Sequence, residues 1–168
     1  MPKVGGNSLD QCMSMCMDDA KTKEEYPSNE DRQKVCYAAC IDRFAASGDY
    51  TMTLVTAQDG KYIFNGDIKG ENPTLELTRG EEYIFEIKAE GHPFWIKTTK
   101  TRGLDDQYNE GVYNNGAQDA RMLFRVPDNA PDKLYYACQF HESMQGDINI
   151  VDATIEELIV RYRTAIKE

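Results

Sequence analysis

Three residues set at intervals of three constrain this chain more than any other feature. Cys138, His141 and Met144 lie in the stretch YYACQFHESMQG, residues 135–146. A thiolate, an imidazole and a thioether form a donor set for a soft or borderline transition metal rather than for magnesium, calcium or manganese. A trigonal site needs one more imidazole. The only other histidine of the chain is His92, in GHPFWIKT. Any fold that uses the loop must therefore carry residue 92 back against residues 138–144.

The cysteine count sharpens this reading. Of five cysteines, four form two CX3C pairs, Cys12 with Cys16 and Cys36 with Cys40, and Cys138 is left over. At i and i+4 both sulfurs of a pair share one helical face. Ser8 with Gln11 fits a capping box for a first helix from about Leu9 to Glu25, stopped by Pro27. Ser28 opens a second helix, from about Asn29 to Ala46, stopped by Gly48. Residues 1–7 read as a flexible lead. Two antiparallel helices would match Cys12 with Cys40 and Cys16 with Cys36, one of three connectivities open to four cysteines. The arrangement resembles the twin-CX3C hairpins of small mitochondrial import chaperones and plant hairpin peptides, a likeness of architecture. Two staples at ~2–4 kcal/mol each would compensate for a hairpin's small core. Two other readings stay open: free thiols, and a zinc or copper cluster in which Met13, Met15 and Met17 add soft sulfur.

From Asp49 the apolar period changes to two. Residues 50–57 and 61–65 read as strands joined by a turn at Asp59–Gly60, with a second turn at Asn65–Gly66. Further strands are expected at 74–78, 81–89, 92–98, 121–127, 133–138 and 146–152. The polar segment 99–119 shows no clear element. Asp152 or Thr154 caps a last helix, from about Ile155 to Lys167, with Ile155, Leu158, Ile159, Tyr162 and Ile166 on one face. About eight short strands at this spacing predict an antiparallel sandwich or barrel. The expected division is a hairpin over 1–48, a β-domain over 49–152 and a helix over 153–168. Trp95 reads as core. Lys97 and Lys100 read as solvated. Asp105, Asp106, Glu110, Asp119 and Glu142 read as an acidic surface, or more specifically as a docking face for a basic partner.

A net charge of -10, most of it in residues 49–152, argues against nucleic acid as a partner. No stretch approaches the ~20 apolar residues of a membrane span. The opening MPKVGGNSLDQ lacks the apolar core of an export signal, whereas two disulfides would suit an oxidising compartment, so localisation stays open.

With its donor types and strand context, the segment from Gly91 to Ile150 resembles the cupredoxin, or blue-copper, family. The likeness is a histidine at the start of a mid-domain strand, GHPFWIKT, followed by an aromatic strand running into Cys-x2-His-x2-Met. The ligand loop is similar to the short loop of amicyanin-like proteins. The resemblance implies a Greek-key β-sandwich over roughly residues 50–152 with a metal site at one end. It implies one copper ion, with His92, Cys138 and His141 as trigonal ligands and Met144 as the weak axial one. It also implies electron transfer between Cu(I) and Cu(II), a protein redox partner, and an apolar patch for which Phe140, Phe94 and Met144 are candidates. One position departs: Pro93 stands where many blue-copper proteins have Asn. In that respect HPFWIKT, the NNG of residues 114–116 and the run from Val126 to Ile150 are more similar to cupredoxin-like domains of phage and large-virus structural proteins. That likeness implies a second role, a structural or virion component with an assembly partner. A multicopper oxidase or nitrite reductase needs more than two histidines, so the chain is not expected to be an enzyme.

Overall fold

The computed structural model describes residues 8–47 and 51–167. The expectations for residues 1–7, Gly48 and Tyr50 lie outside these. Three helices come first: α1 (Leu9–Asp18), α2 (Ala20–Glu25) and α3 (Asn29–Ser47). Ser8 caps α1 by accepting from the Gln11 N–H at 3.2 Å. The single helix expected as far as Glu25 is instead broken at Asp19, whose backbone is extended. Its carboxylate accepts from both the N–H and the hydroxyl of Thr22 at 3.0 Å. An aspartate satisfies free N–H groups at a helix start and gains nothing in a helix interior, so the chain restarts there.

The helices pair as expected, through Cys12–Cys40 and Cys16–Cys36. Their sulfurs are bonded to one another and so are not donors for a metal cluster. All four half-cystines are buried, and with Leu9, Ile41 and Phe44 they pack on Ile84 and Leu123 of the β-region. The hairpin thus shares a core with a sheet. Arg121–Asp42 at 2.5 Å and Arg125–Asp10 at 2.8 Å rim this contact. The rings of Tyr37 and Tyr113 lie 3.8 Å apart.

The strands are β1 (Thr51–Gln58), β2 (Lys61–Gly66), β3 (Gly70–Glu71), β4 (Leu75–Thr78), β5 (Glu82–Lys88), β6 (Phe94–Lys97), β7 (Val112–Tyr113), β8 (Asp119–Arg125), β9 (Lys133–Cys138) and β10 (Gln145–Val151). They form two sheets, ordered β3-β2-β1-β5-β8-β7 and β4-β10-β9-β6. The β-sandwich is borne out, but the sheets are mixed rather than antiparallel: β1 runs parallel to β5, and β4 to β10. Alternation reports which face a residue takes and is silent on strand direction, which the long connections between sheets decide here. β3 and β7 are too short to show a period. Asn65–Gly66 is no turn; it ends β2, with Gly66 opposite Thr53. A Cβ there would lie 2.7 Å from the Met52 carbonyl oxygen, so the glycine serves a close backbone approach.

Between the sheets Phe94 stacks on Tyr136 with centroids 5.3 Å apart, and Tyr62 meets Phe94 edge-on at 5.0 Å. In β8, Met122, Leu123 and Phe124 are all buried. Met122 and Phe124 face the sandwich core while Leu123 faces the hairpin, so this sheet is covered on both sides.

Lys97 is the largest departure from the sequence reading. It is completely buried, not solvated. Its ammonium donates to the carbonyls of Thr101 and Gly103 and pairs with Asp106 at 2.7 Å. Asp106 also accepts from the Thr99 and Thr101 hydroxyls, so it belongs to this cluster and not to an acidic surface. The segment without periodicity is folded around one lysine. Asn115 adds the edge contact that a strand would make, accepting from Ile96 N–H at 2.7 Å and donating to Ile96 C=O at 3.2 Å.

The final helix, α4 (Ile155–Lys167), is capped by Thr154 and Glu157 in a reciprocal pair. Arg161 fastens it, donating to Glu81 at 2.7 Å and to the Arg79 carbonyl at 3.0 Å. The apolar row Ile155, Leu158, Ile159, Tyr162 and Ile166 stays exposed, each residue at 44–77%. No helix among the described residues is long and apolar enough to cross a membrane.

Replacing one partner of a buried ion pair leaves the other charged and desolvated. Lys97→Met is expected to lower stability in urea denaturation by about 2–3 kcal/mol, less than a wholly enclosed pair because Asp106 keeps some solvent. Burial pushes the Asp106 carboxyl up, but hydrogen bonds from Lys97, Thr99 and Thr101 and the lysine charge prevail and hold it below the usual range. A carboxyl depressed in the fold stabilises above its unfolded pKa, and that contribution disappears as pH falls through the folded value. Asp106→Asn is therefore expected to flatten the acid limb of the stability–pH curve. Separately, Cys12→Ser with Cys40→Ser is expected to cost about 2–4 kcal/mol by the same denaturation measurement.

Candidate metal centre

The register of β6 against β9 builds the site. Phe94 stands opposite Cys138, the last residue of β9. His92, two residues before Phe94, consequently overhangs the end where the 138–145 loop begins. Its backbone is set by a turn in which the His92 N–H donates to the Ala89 carbonyl at 2.9 Å, and the Gly91 N–H donates to the Gln118 side chain at 2.9 Å. Gly91 takes φ 79°, which favours glycine. The loop closes on itself: Cys138 N–H donates to the Met144 carbonyl at 2.8 Å, and Met144 N–H to the His141 carbonyl at 3.2 Å.

Three side chains converge. Cys138 Sγ lies 3.5 Å from His141 Nδ1 and 3.9 Å from His92 Nδ1, and the two Nδ1 atoms are 3.1 Å apart. Donors bound to one ion with nitrogen and sulfur bonds of roughly 2.0–2.3 Å in a trigonal plane are separated by about 3.5–3.8 Å. The two sulfur–nitrogen distances, 3.5 and 3.9 Å, lie at or just beyond this range, and the two ring nitrogens, at 3.1 Å, stand closer than it, so one ion is held after a small spreading of the imidazoles. Among the described residues this is the one gathering of three such donors from His, Cys, Asp or Glu. Cys138 is buried, His92 half-buried and His141 exposed, so the site opens through His141. The Phe140 N–H points at the Cys138 sulfur at 3.5 Å. Burial, and after it the charge of His141, holds the His92 imidazole below its usual range, which favours the neutral form that ligates.

Met144 braces the loop through its backbone, and its side chain is fully buried in the same core cluster as Cys138. Of the three residues suggested for an apolar surface patch, only Phe140 is exposed; Phe94 and Met144 are interior, because their strand ends face between the sheets. Trp95 is half-buried, and its indole N–H donates to Gln139 at 3.4 Å. A Cβ on Gly116 would sit 2.3 Å from the Trp95 ring. Asp119 pairs with Lys88 at 2.6 Å and Glu142 with Arg102 at 3.2 Å, while Lys100 pairs with Asp147.

Sequence reasoning missed the residues that hold the donors in place. The Tyr62 hydroxyl donates to the carbonyls of His92 at 2.9 Å and Pro93 at 3.0 Å. Burial, with the neighbouring Cys138 next, raises its phenol pKa, so it remains a donor at working pH. Ser143 and Asn72 act on the loop from outside. None of these has a motif; each is found only by adjacency.

No protein-family model matches the chain, and a comparison with curated proteins gives no match. Among solved structures, the copper protein rusticyanin aligns at 16% identity over 59% of this chain and 76% of its own, with a TM-score of 0.42. Reduced rusticyanin aligns at 19% over 59% and 77%, also at 0.42. Rusticyanin from Thiobacillus ferrooxidans gives 19% over 59% and 75%, at 0.35. The chain is a two-sheet β-sandwich with three donors gathered at one end, and the reading of the site rests on this chain's own geometry.

In the metal-free protein, the His92 ring protons are expected to titrate below the unperturbed imidazole value. In His141→Gln the midpoint should move upward, because the opposing charge is gone, yet stay depressed by burial. Proton NMR across the acid range checks both.

Proposed function

We propose that this chain is a copper-binding cupredoxin-like protein that carries single electrons. The carrying observation is the triangle of His92, Cys138 and His141 at the end of a rigid sandwich. Two imidazoles and a thiolate, with Met144 as the candidate thioether, suit Cu(I) and Cu(II) about equally, so a bound copper would supply one-electron redox chemistry. The chain's own residues supply the rest. The end of β9 holds Cys138, the turn leading into β6 holds His92, the short loop holds His141, and the aromatic core behind them excludes water. His141, the exposed donor, offers a short route for an electron to a protein redox partner docked over it and Phe140.

Loading with Cu(II) is expected to produce an intense thiolate-to-copper absorption near ~600 nm, bleached by ascorbate, with the narrow EPR hyperfine splitting of a cysteine-bound site. Cys138→Ser should abolish the band. Copper binding that is unaffected by this substitution would exclude the type-1 assignment.

A further inference from the structure

Beyond the last rung of the β6–β9 ladder, which pairs Phe94 with Cys138, the backbone of the two segments that bear the donors is joined by a long hydrogen bond from Gln139 N–H to the Pro93 carbonyl at 3.3 Å. Pro93 has no N–H and no side-chain donor with which to add another. A further connection runs through a third element. Tyr62, in β2, holds the His92 and Pro93 carbonyls with its hydroxyl. The backbone of the same tyrosine is gripped on both sides by Asn72: Tyr62 N–H donates to Asn72 Oδ1 at 2.9 Å, and Asn72 N–H donates to the Tyr62 carbonyl at 2.8 Å. The Asn72 amide then donates through Nδ2 to the Ser143 carbonyl at 2.8 Å. Ser143 sits between His141 and Met144, and its hydroxyl donates to the Gly60 carbonyl at 2.8 Å.

We propose that Asn72 is a positioning residue of the metal centre, clamping the ligand loop to the strand that holds His92. The effect on bound copper rests on the functional reading above; the clamp itself is a property of the chain. Asn72 has φ 41°, a left-handed conformation that glycine or aspartate also adopts. A turn role alone would not select an amide. Only an amide accepts from the Tyr62 N–H with one atom and donates to the Ser143 carbonyl with the other, and these two contacts also fix which atom is oxygen. The adjoining Pro73 carbonyl accepts from the Tyr136 hydroxyl at 2.6 Å, which anchors the 72–73 corner to β9, two residues before Cys138. A path of short hydrogen bonds therefore closes from His92 through Tyr62 and Asn72 to the loop. It restrains the distance between the His92 and His141 backbones whether or not a metal is present.

Two variants separate this role from general stability. Asn72→Asp keeps the acceptor for Tyr62 and loses the donor to Ser143. Asn72→Gly keeps the left-handed backbone and loses both, without adding charge. In the metal-free protein Asn72→Asp is expected to speed alkylation of Cys138 about tenfold, the worth of one lost hydrogen bond of ~1.4 kcal/mol, and Asn72→Gly, which loses two, at least as much. Amide exchange at Met144 should rise by a similar factor, while exchange at Tyr136 in β9 stays near wild type. Equal acceleration at Tyr136, or an unchanged alkylation rate, would overturn the clamp. In the copper-loaded protein Asn72→Gly is expected to shift both the EPR hyperfine splitting and the reduction potential; unchanged values for both would overturn the positioning role. If wild type itself shows no thiolate-to-copper band, the copper reading fails, and the metal-free measurements still decide on the clamp.

Discussion

The pairing of β6 with β9 is the contact on which the site depends. It sets Phe94 opposite Cys138, and every donor position follows from that register. A slip of one residue would turn Phe94 and Ile96 out of the core and carry His92 away from the sulfur. What prevents the slip is packing. Phe94 is wedged between Tyr136 and Tyr62, and Ile96 is fully buried. The donor cluster is thus a by-product of an aromatic core, and its precision is that of the core.

The two sides of the molecule support this core differently. The larger sheet has its outer face covered by the disulfide-bonded hairpin, where Ile84 and Leu123 meet the half-cystines. The hairpin gains apolar burial that two short helices could not provide alone, and the sheet loses an exposed face. At the edge of the smaller sheet, β6 has β9 on one side only. Its other side is satisfied by Asn115 and by the loop wrapped on Lys97. A buried lysine is a costly way to order a polar segment, and it is tolerated because three oxygen partners converge on the ammonium. The segment that reads as structureless lies against the strand that follows the first donor, so its order bears on the site.

Much of the site was legible before any coordinates. Soft donors at positions 138 and 141 and a single complementary histidine named the three residues that cluster, while Met144 is seen only to brace the loop through its backbone. The i,i+4 cysteine pairs, taken with an antiparallel hairpin, pointed to the disulfide partners and left free thiols and a metal cluster open; the structure decided for the disulfides. Three kinds of feature were not legible. Strand direction was hidden, since alternation is the same in parallel and antiparallel sheets. Lys97 was misread, since charge predicts exposure unless its partners are known, and those partners come from residues without pattern. The supports Tyr62, Asn72 and Ser143 were invisible, because a hydrogen bond between distant residues leaves no periodic trace.

By itself, then, the sequence determined chemistry and local form: which donors exist, which faces of helices and strands are apolar, and where three of the four helices begin. These are properties of residue type and short spacing. Only the tertiary structure decided adjacency. It brought His92 within 3.9 Å of Cys138, enclosed Lys97, and left the apolar row of α4 exposed although its spacing matched a buried face. The physical reason is that periodicity specifies a surface but not what covers it. Covering is settled by strand register, by the volume of the side chains between the sheets, and by polar groups that must find partners once water is excluded.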